Sequence, residues 1–254
     1  MTETPDEVRA RQTATALNIL PAVFENPIWP PQTCALCKGH SRGAVLSAAS
    51  AVVPLPTGAT RSIPSPCSPT PGRAAPQARQ DLRQYKDGYM QETRDAASYR
   101  LSYLVWYFAA YHATCMATAN GKTDLVALVP SGHVAKRAGA HPLTNLDYFP
   151  RTIARVDMVR ILDAVPRQID PESLRIDTQV AGKTVLLFDD TWTTGASTQS
   201  AAVALKRAGA AKVNAVVIGR WLNGGWPPTD TLMSNNPAKS WDPDVCPVTG
   251  KACP

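Results

Sequence analysis

Val185-Leu186-Leu187-Phe188-Asp189-Asp190-Thr191-Trp192-Thr193-Thr194-Gly195-Ala196-Ser197-Thr198 is the stretch on which the reading of this chain turns. Its first four residues are apolar without alternation, the pattern of a short strand buried on both faces of a parallel sheet. Two acids sit at the end of that strand. A hydroxyl-rich turn follows, and an Ala-rich helix begins at once. In open α/β sheets ligands collect beyond the carboxyl ends of the strands. A tight turn into a helix N-terminus aims backbone N–H groups and a positive dipole end at one spot, which suits a phosphate. Hydroxyls of Thr193, Thr194, Ser197 and Thr198 add donors. Asp189 and Asp190 would repel a bare phosphate, but they suit a phosphate carried by a sugar whose hydroxyls need acceptors. The stretch therefore reads as a sugar-phosphate grip.

Working outward, Lys183 to Phe188 is expected to be the central strand and Ala196 to Ala208 a helix closed by Gly209. Lys212 to Gly219 follows as another strand, with Trp221, Asn223 and Trp226 just beyond it. Upstream, Leu125-Val126-Ala127-Leu128-Val129 is a second core strand, leading into Pro130-Ser131-Gly132-His133 and then Lys136-Arg137-Ala138-Gly139. A strand feeding a small-residue turn and two cations is a candidate diphosphate site. Gly121-Lys122-Thr123 and Gly182-Lys183-Thr184 resemble the end of a P-loop, but the required earlier glycines are Met116 and Asp177. Each also precedes a strand where a P-loop follows one, so nucleotide hydrolysis of that type is excluded.

Farther toward the N-terminus, a long helix is expected from Gln91 to about Thr118, with Leu101, Leu104, Val105, Phe108 and Ala109 at helical spacing. Residues 101–121 carry no Asp, Glu, Lys or Arg. Their many Tyr, Thr and Ser residues nonetheless argue for a helix buried on a sheet, not a membrane span. Thr4-Pro5-Asp6-Glu7 is a helix-start signal for a first helix running to about Leu20. Residues 41–80 lack Asp, Glu, Lys and aromatic residues and contain seven prolines from Pro54 to Pro76, which reads as a linker, disordered in its own right. Only Val45-Leu46 and Val52-Val53 hint at local structure there. From Val165 to Val180 the chain reads as a connection whose Arg167 and Arg175 face water.

The cysteines cluster toward the two ends. Cys34-Ala35-Leu36-Cys37 lies in a turn-rich setting, the pattern of half a zinc site. Cys246 and Cys253 lie in a short Pro- and Gly-bearing tail and can supply the other half, giving a closed tetrahedral all-cysteine structural site. His40 and Cys67 are rival ligands; free thiols and disulfides are the alternatives. The 254 residues carry 26 Lys and Arg against 20 Asp and Glu, a net charge of +6. That balance admits nucleic acid, but no Lys/Arg run points to one. With no signal-peptide pattern at the N-terminus, a cytoplasmic protein with reduced thiols is expected. Nothing specifies an oligomeric state.

The quoted stretch resembles the phosphoribosyl-diphosphate (PRPP) motif of the type I phosphoribosyltransferases, an apolar strand, two acids, two variable residues and Thr-Thr-Gly-Ala-Thr, here with Ser197 at the last place. The order of features from about residue 80 to 226 is similar to the competence-associated (ComF-type) branch of that family, through Arg83–Asp87, Val129-Pro130 and Lys136–Gly139. The resemblance implies an α/β type I phosphoribosyltransferase fold, a mainly parallel sheet flanked by helices, with a small cysteine-bearing element built from the termini. It implies an N-terminal element at 1–40, a linker at 41–80, the phosphoribosyltransferase-like domain at 81–226 and a tail at 227–254. Asp189 and Asp190 would hold the ribose hydroxyls, Thr193, Thr194, Gly195, Ala196 and Ser197 the 5′-phosphate, and Ser131, Gly132 and Arg137 the diphosphate. Mg²⁺ would arrive with PRPP. The activity implied is transfer of ribose 5-phosphate to an acceptor the sequence does not name; the alternative is a non-catalytic scaffold of the same fold in DNA uptake or regulation.

Overall fold

The structure is a computed structural model, and it describes residues 3–23, 51–54, 76–132, 141–220, 242–248 and 252–253. At its centre is a four-stranded, fully parallel sheet. In chain order its strands are β1 (Ala51–Pro54), β2 (Leu125–Leu128), β5 (Thr184–Trp192) and β6 (Lys212–Arg220), arranged β1-β6-β5-β2. A two-stranded antiparallel ribbon of β3 (Met158–Arg160) and β4 (Leu174–Ile176) lies apart from it. The helices are α1 (Pro5–Val23), α2 (Pro76–Asp87), α3 (Gln91–Asn120) and α4 (Ala196–Arg207).

Alternation along β5 shows why both faces are covered. Leu186 and Phe188 join the core beneath α1, α2 and α3, whereas Val185 and Leu187 join the core beneath α4. β6 divides the same way, with Val216 and Ile218 on the first face and Val213, Ala215 and Val217 on the second. A strand buried on both sides must be apolar nearly throughout, as residues 185–188 of β5 and 215–218 of β6 are, with buried Asn214 the exception. The resulting three layers, helices–sheet–helix, are those expected from the sequence.

Local signals act as read. Thr4 and Glu7 form a reciprocal cap: the Thr4 N–H donates to Glu7 Oε2 at 2.7 Å and the Glu7 N–H to Thr4 Oγ1 at 3.3 Å. Gly209 takes a φ of 95° just past the end of α4, the left-handed position that stops the helix. α3 runs two residues longer than expected, and its half from Leu101 to Phe108 is buried throughout. α1 covers the side of α3 that the sheet does not reach: Thr13 and Tyr111 share a hydroxyl hydrogen bond of 2.6 Å, and Gln12 donates to the Tyr148 hydroxyl at 3.1 Å.

Three readings change. First, Ala51–Pro54, inside the stretch read as linker, is an edge strand in register with Asn214–Val217 of β6, and α2 begins at Pro76 within that stretch as well. Four residues suffice because β6 supplies the ladder. Second, the connection from Val165 to Val180 holds the β4 strand and is anchored by buried Leu174 and Val180. Arg175 does face water there, paired with Asp177. Third, β5 does not stop at the acids; it runs on through them to Trp192 because β6 is long enough to pair with Thr191 and Trp192.

Candidate ribose-phosphate site

β5 delivers Asp189 and Asp190 at the carboxyl edge of the sheet, where consecutive side chains point to opposite faces. Both are nearly enclosed, at 8% and 7% exposure, so each needs partners of its own. Asp189 receives them from the loop and helix that follow. The Thr198 hydroxyl donates to Asp189 Oδ2, and the Asp190 N–H donates to Asp189 Oδ1 at 2.9 Å. Asp190 receives its partners from α2. The Tyr85 hydroxyl donates to Asp190 Oδ2 at 2.8 Å and the Lys86 ammonium pairs with the same oxygen.

α2 reaches the acids because Gly219 of β6 has no side chain. A Cβ there would collide with Leu82, so the glycine lets the helix settle against the strand. Burial raises the Asp189 carboxyl to about 6, against the opposing pull of the Thr198 hydroxyl, Lys86 and a Thr191 backbone hydrogen bond. Burial also drives the Tyr85 phenol far above its ordinary value, with the Asp189 and Asp87 charges adding to it, so it stays a hydrogen-bond donor.

The turn after β5 pivots on Gly195. Its φ of 79° and its seat against the Trp192 indole both require glycine: an added Cβ would overlap the ring. The sharp reversal starts α4 at Ala196, and the Gln199 N–H closes the first helical bond to Gly195 at 2.8 Å. Before it, the Ala196 N–H donates to Thr194 Oγ1 at 3.4 Å, and the Ser197 and Thr198 N–H groups, with no acceptor within the helix, open toward its mouth. Thr193, Thr194 and Ser197 are exposed around that mouth, while Thr198 is buried and turned inward to Asp189. Of the four hydroxyls read as ligand donors, three face outward and the fourth is structural.

The turn after β2 stands at the same edge. Leu128 pairs with Phe188, and the Val129 N–H continues the ladder to the Phe188 carbonyl at 2.9 Å, which brings Pro130-Ser131-Gly132 out beside the acids. Buried Arg160 braces this turn, donating from Nε to the Ser131 carbonyl and from an Nη to Ser173 Oγ at 2.8 Å. The Ala164 N–H donates to the Gly132 carbonyl at 2.8 Å. His141 is committed at both ring nitrogens, one against the Val129 carbonyl at 3.1 Å and one accepting from the Leu143 N–H at 3.2 Å. Burial holds its imidazole down to about 4, so it is neutral. Arg137, with Lys136, lies outside the described residues, as do Trp221, Asn223 and Trp226.

A second cluster lies away from the sheet edge, against α3. His112 and Cys115 of α3 meet Cys246 and Cys253 of the tail, one donor atom from each lying within 4.8 Å of the others. This set can bind a metal such as zinc. Two of its members, Cys246 and Cys253, are those expected; Cys34, Cys37, His40 and Cys67 lie outside the described residues. His112 and Cys115 escaped the sequence reading. Their His-x-x-Cys spacing on a helix was the available signal, hidden because both fall inside an apolar run that reads as core. Burial lowers the His112 imidazole to about 4 and lifts the Cys253 thiol to about 12, where neighbouring Cys115 and Cys246 add to the rise.

No family model matches this chain, and no curated protein matches it. Among solved structures it is similar to phosphoribosylpyrophosphate synthetase from Mycobacterium smegmatis, at 22% identity and a TM-score of 0.30 over 51% of this chain and 36% of that one. It is also similar to purine phosphoribosyltransferase from Pyrococcus horikoshii Ot3, at 15% identity and a TM-score of 0.27 over 47% of this chain and 88% of that one. The chain thus spans about a third of the synthetase. No helix among the described residues is long and apolar enough to cross a membrane.

Proposed function

We propose that the chain is a type I phosphoribosyltransferase-like protein that binds PRPP with Mg²⁺ and transfers ribose 5-phosphate to an acceptor, releasing diphosphate. The observation that carries this is the pair of nearly buried carboxylates, Asp189 and Asp190, set directly before a helix mouth ringed by exposed Thr193, Thr194 and Ser197. Neither half is economical alone: a phosphate cradle has no use for two adjacent acids, and two buried acids are costly without a ligand that needs them.

The roles follow from charge. Outward N–H groups and hydroxyls at the α4 mouth hold the 5′-phosphate. Asp189 and Asp190 accept from the ribose 2′- and 3′-hydroxyls and lie near the ring as it becomes cationic. Lys86 and Tyr85, already on Asp190, fix that carboxylate's direction. The Ser131-Gly132 turn, braced by Arg160, offers donors to the diphosphate, with Arg137 as the cation. Positioning supplies most of the rate, since no covalent nucleophile is required. Mg²⁺ would arrive with PRPP and would offset the charge of the leaving diphosphate.

A second reading, a PRPP-binding or scaffold protein without turnover, is favoured by one observation. His141, at this edge, has both ring nitrogens engaged and offers no free base to an incoming nucleophile. Calorimetry of PRPP–Mg²⁺ with wild type and with Asp189→Asn/Asp190→Asn tests the first reading. Micromolar to millimolar binding is expected, weakened at least about tenfold (about 1.4 kcal/mol) by the double change. Absence of heat with wild type would overturn the transferase reading and leave the scaffold; binding without diphosphate release across a panel of nucleobases and amines would select a binding protein without turnover.

A further inference from the structure

We infer that His112, Cys115, Cys246 and Cys253 form a closed structural zinc site that fastens the C-terminal tail to α3. This site lies outside the proposed PRPP grip and does not depend on that reading.

Position is the first support. His112 and Cys115 are three residues apart on α3 and so share one helix face. Cys246 and Cys253 lie in the described stretches 242–248 and 252–253, which hold no helix or strand. His112 Nδ1 lies 3.3 Å from Cys253 Sγ across a separation of 141 residues. Four protein donors around one zinc ion at ordinary bond lengths sit roughly 3.3–3.8 Å from one another. A set already gathered within 4.8 Å needs only side-chain adjustment to close on an ion.

The tail is shaped for this. Asp242 accepts from the Asp244 N–H at 2.9 Å, making a tight turn directly before Cys246. Cys246 is fully buried, and Val248 packs against the core beneath α3, so the loop from Cys246 to Cys253 starts from a fixed base. Among the described residues the tail, 242–248 and 252–253, has no ladder or helix of its own.

Donor chemistry selects the metal and the role. Three thiolates and one imidazole suit zinc. With all four places taken by protein, no position stays open for water or substrate, which marks a structural centre, not a catalytic one. Three thiols this close would otherwise be exposed to oxidation to a disulfide, the competing fate.

X-ray absorption at the zinc edge of the purified full chain is the test, with metal analysis beside it. About one zinc per chain is expected, with three sulfurs and one nitrogen around it. No zinc, or four sulfurs with no nitrogen, would overturn the proposal, the latter pointing to Cys34 and Cys37 as partners of the tail cysteines. His112→Ala/Cys115→Ser is expected to lose the metal while Cys34→Ser/Cys37→Ser retains it. The reverse pattern would also overturn it. Chelation of wild type is expected to make the tail sensitive to limited proteolysis while α3 stays protected; a tail equally resistant with and without chelator would refute the fastening role.

Discussion

Asp189 is expected to lower the stability of the protein it serves. Its carboxyl ionises near 6 in the fold, against an ordinary value of 3.8, because burial outweighs the Thr198 hydroxyl, Lys86 and the backbone donor. Below about pH 4 the residue is protonated folded and unfolded, and has no effect. As pH rises from about 4 to about 6 the unfolded chain releases its proton while the folded chain keeps it, so folding is progressively penalised. Above about 6 both forms are ionised and the full difference remains, on the order of 3 kcal/mol at about 1.4 kcal/mol per tenfold. Asp189→Asn keeps the shape and an oxygen for Thr198 but carries no charge. It is therefore expected to be more stable than wild type at pH 8, by up to about 3 kcal/mol less about 1 kcal/mol for weakened hydrogen bonds. At pH 4, where both side chains are uncharged, only the hydrogen-bond loss remains, so the variant should fall about 1 kcal/mol below wild type and the two curves should cross in between. Urea unfolding at half-unit pH steps from 4 to 8 measures this as the vertical gap between two curves. Parallel curves, or a variant less stable at pH 8, would refute the idea that burial dominates at Asp189. The same variant is expected to lose PRPP affinity, so the residue would trade stability for binding.

Two further substitutions probe the fold around the site. Gly195→Ala forces a side chain into a left-handed backbone and against the Trp192 ring; a loss of about 2–4 kcal/mol is expected, with a shift in tryptophan emission, and an unchanged urea midpoint would show that the loop has another conformation to hand. Asn214 of β6 is fully buried, and its side-chain amide has no hydrogen-bond partner among the described residues; Asn214→Leu is expected to raise stability by about 1–3 kcal/mol in the same assay, and a fall would show that the amide is satisfied in solution.

What the sequence disclosed was whatever depends on neighbours along the chain. The apolar run of β5, the turn into α4 and the Gly209 stop are all local and sit where reading placed them, while the acids lie inside the strand and not at its end. The long reach of α3 followed from periodicity alone. What stayed hidden depends on partners far away. Tyr85 and Lys86 meet Asp190 across about a hundred residues, through a contact that Gly219 permits; no spacing rule announces that. At Ala51–Pro54 the sequence offered only the hint of Val52-Val53, and the pairing with β6 that makes it a strand was not legible. His112 and Cys115 look like core until the tail is seen to arrive at them. Arg160 is buried as the brace of the Ser131 turn, a role that depends on a contact 29 residues away.

The inward-turned Thr198 has a thermodynamic consequence. Its hydroxyl, two residues into the helix from its mouth, is fastened to Asp189 on the strand, so the loop between them is a short ring closed at both ends. Anything that pulls on the α4 mouth is transmitted to the carboxylate, and anything that reorients the carboxylate moves the mouth. Changes at the two places should therefore fail to add in a double-mutant cycle. Removing the stitch, as in Thr198→Val, should restore additivity even where it costs affinity. Two sub-sites that look separable in a drawing would then behave in solution as a single one.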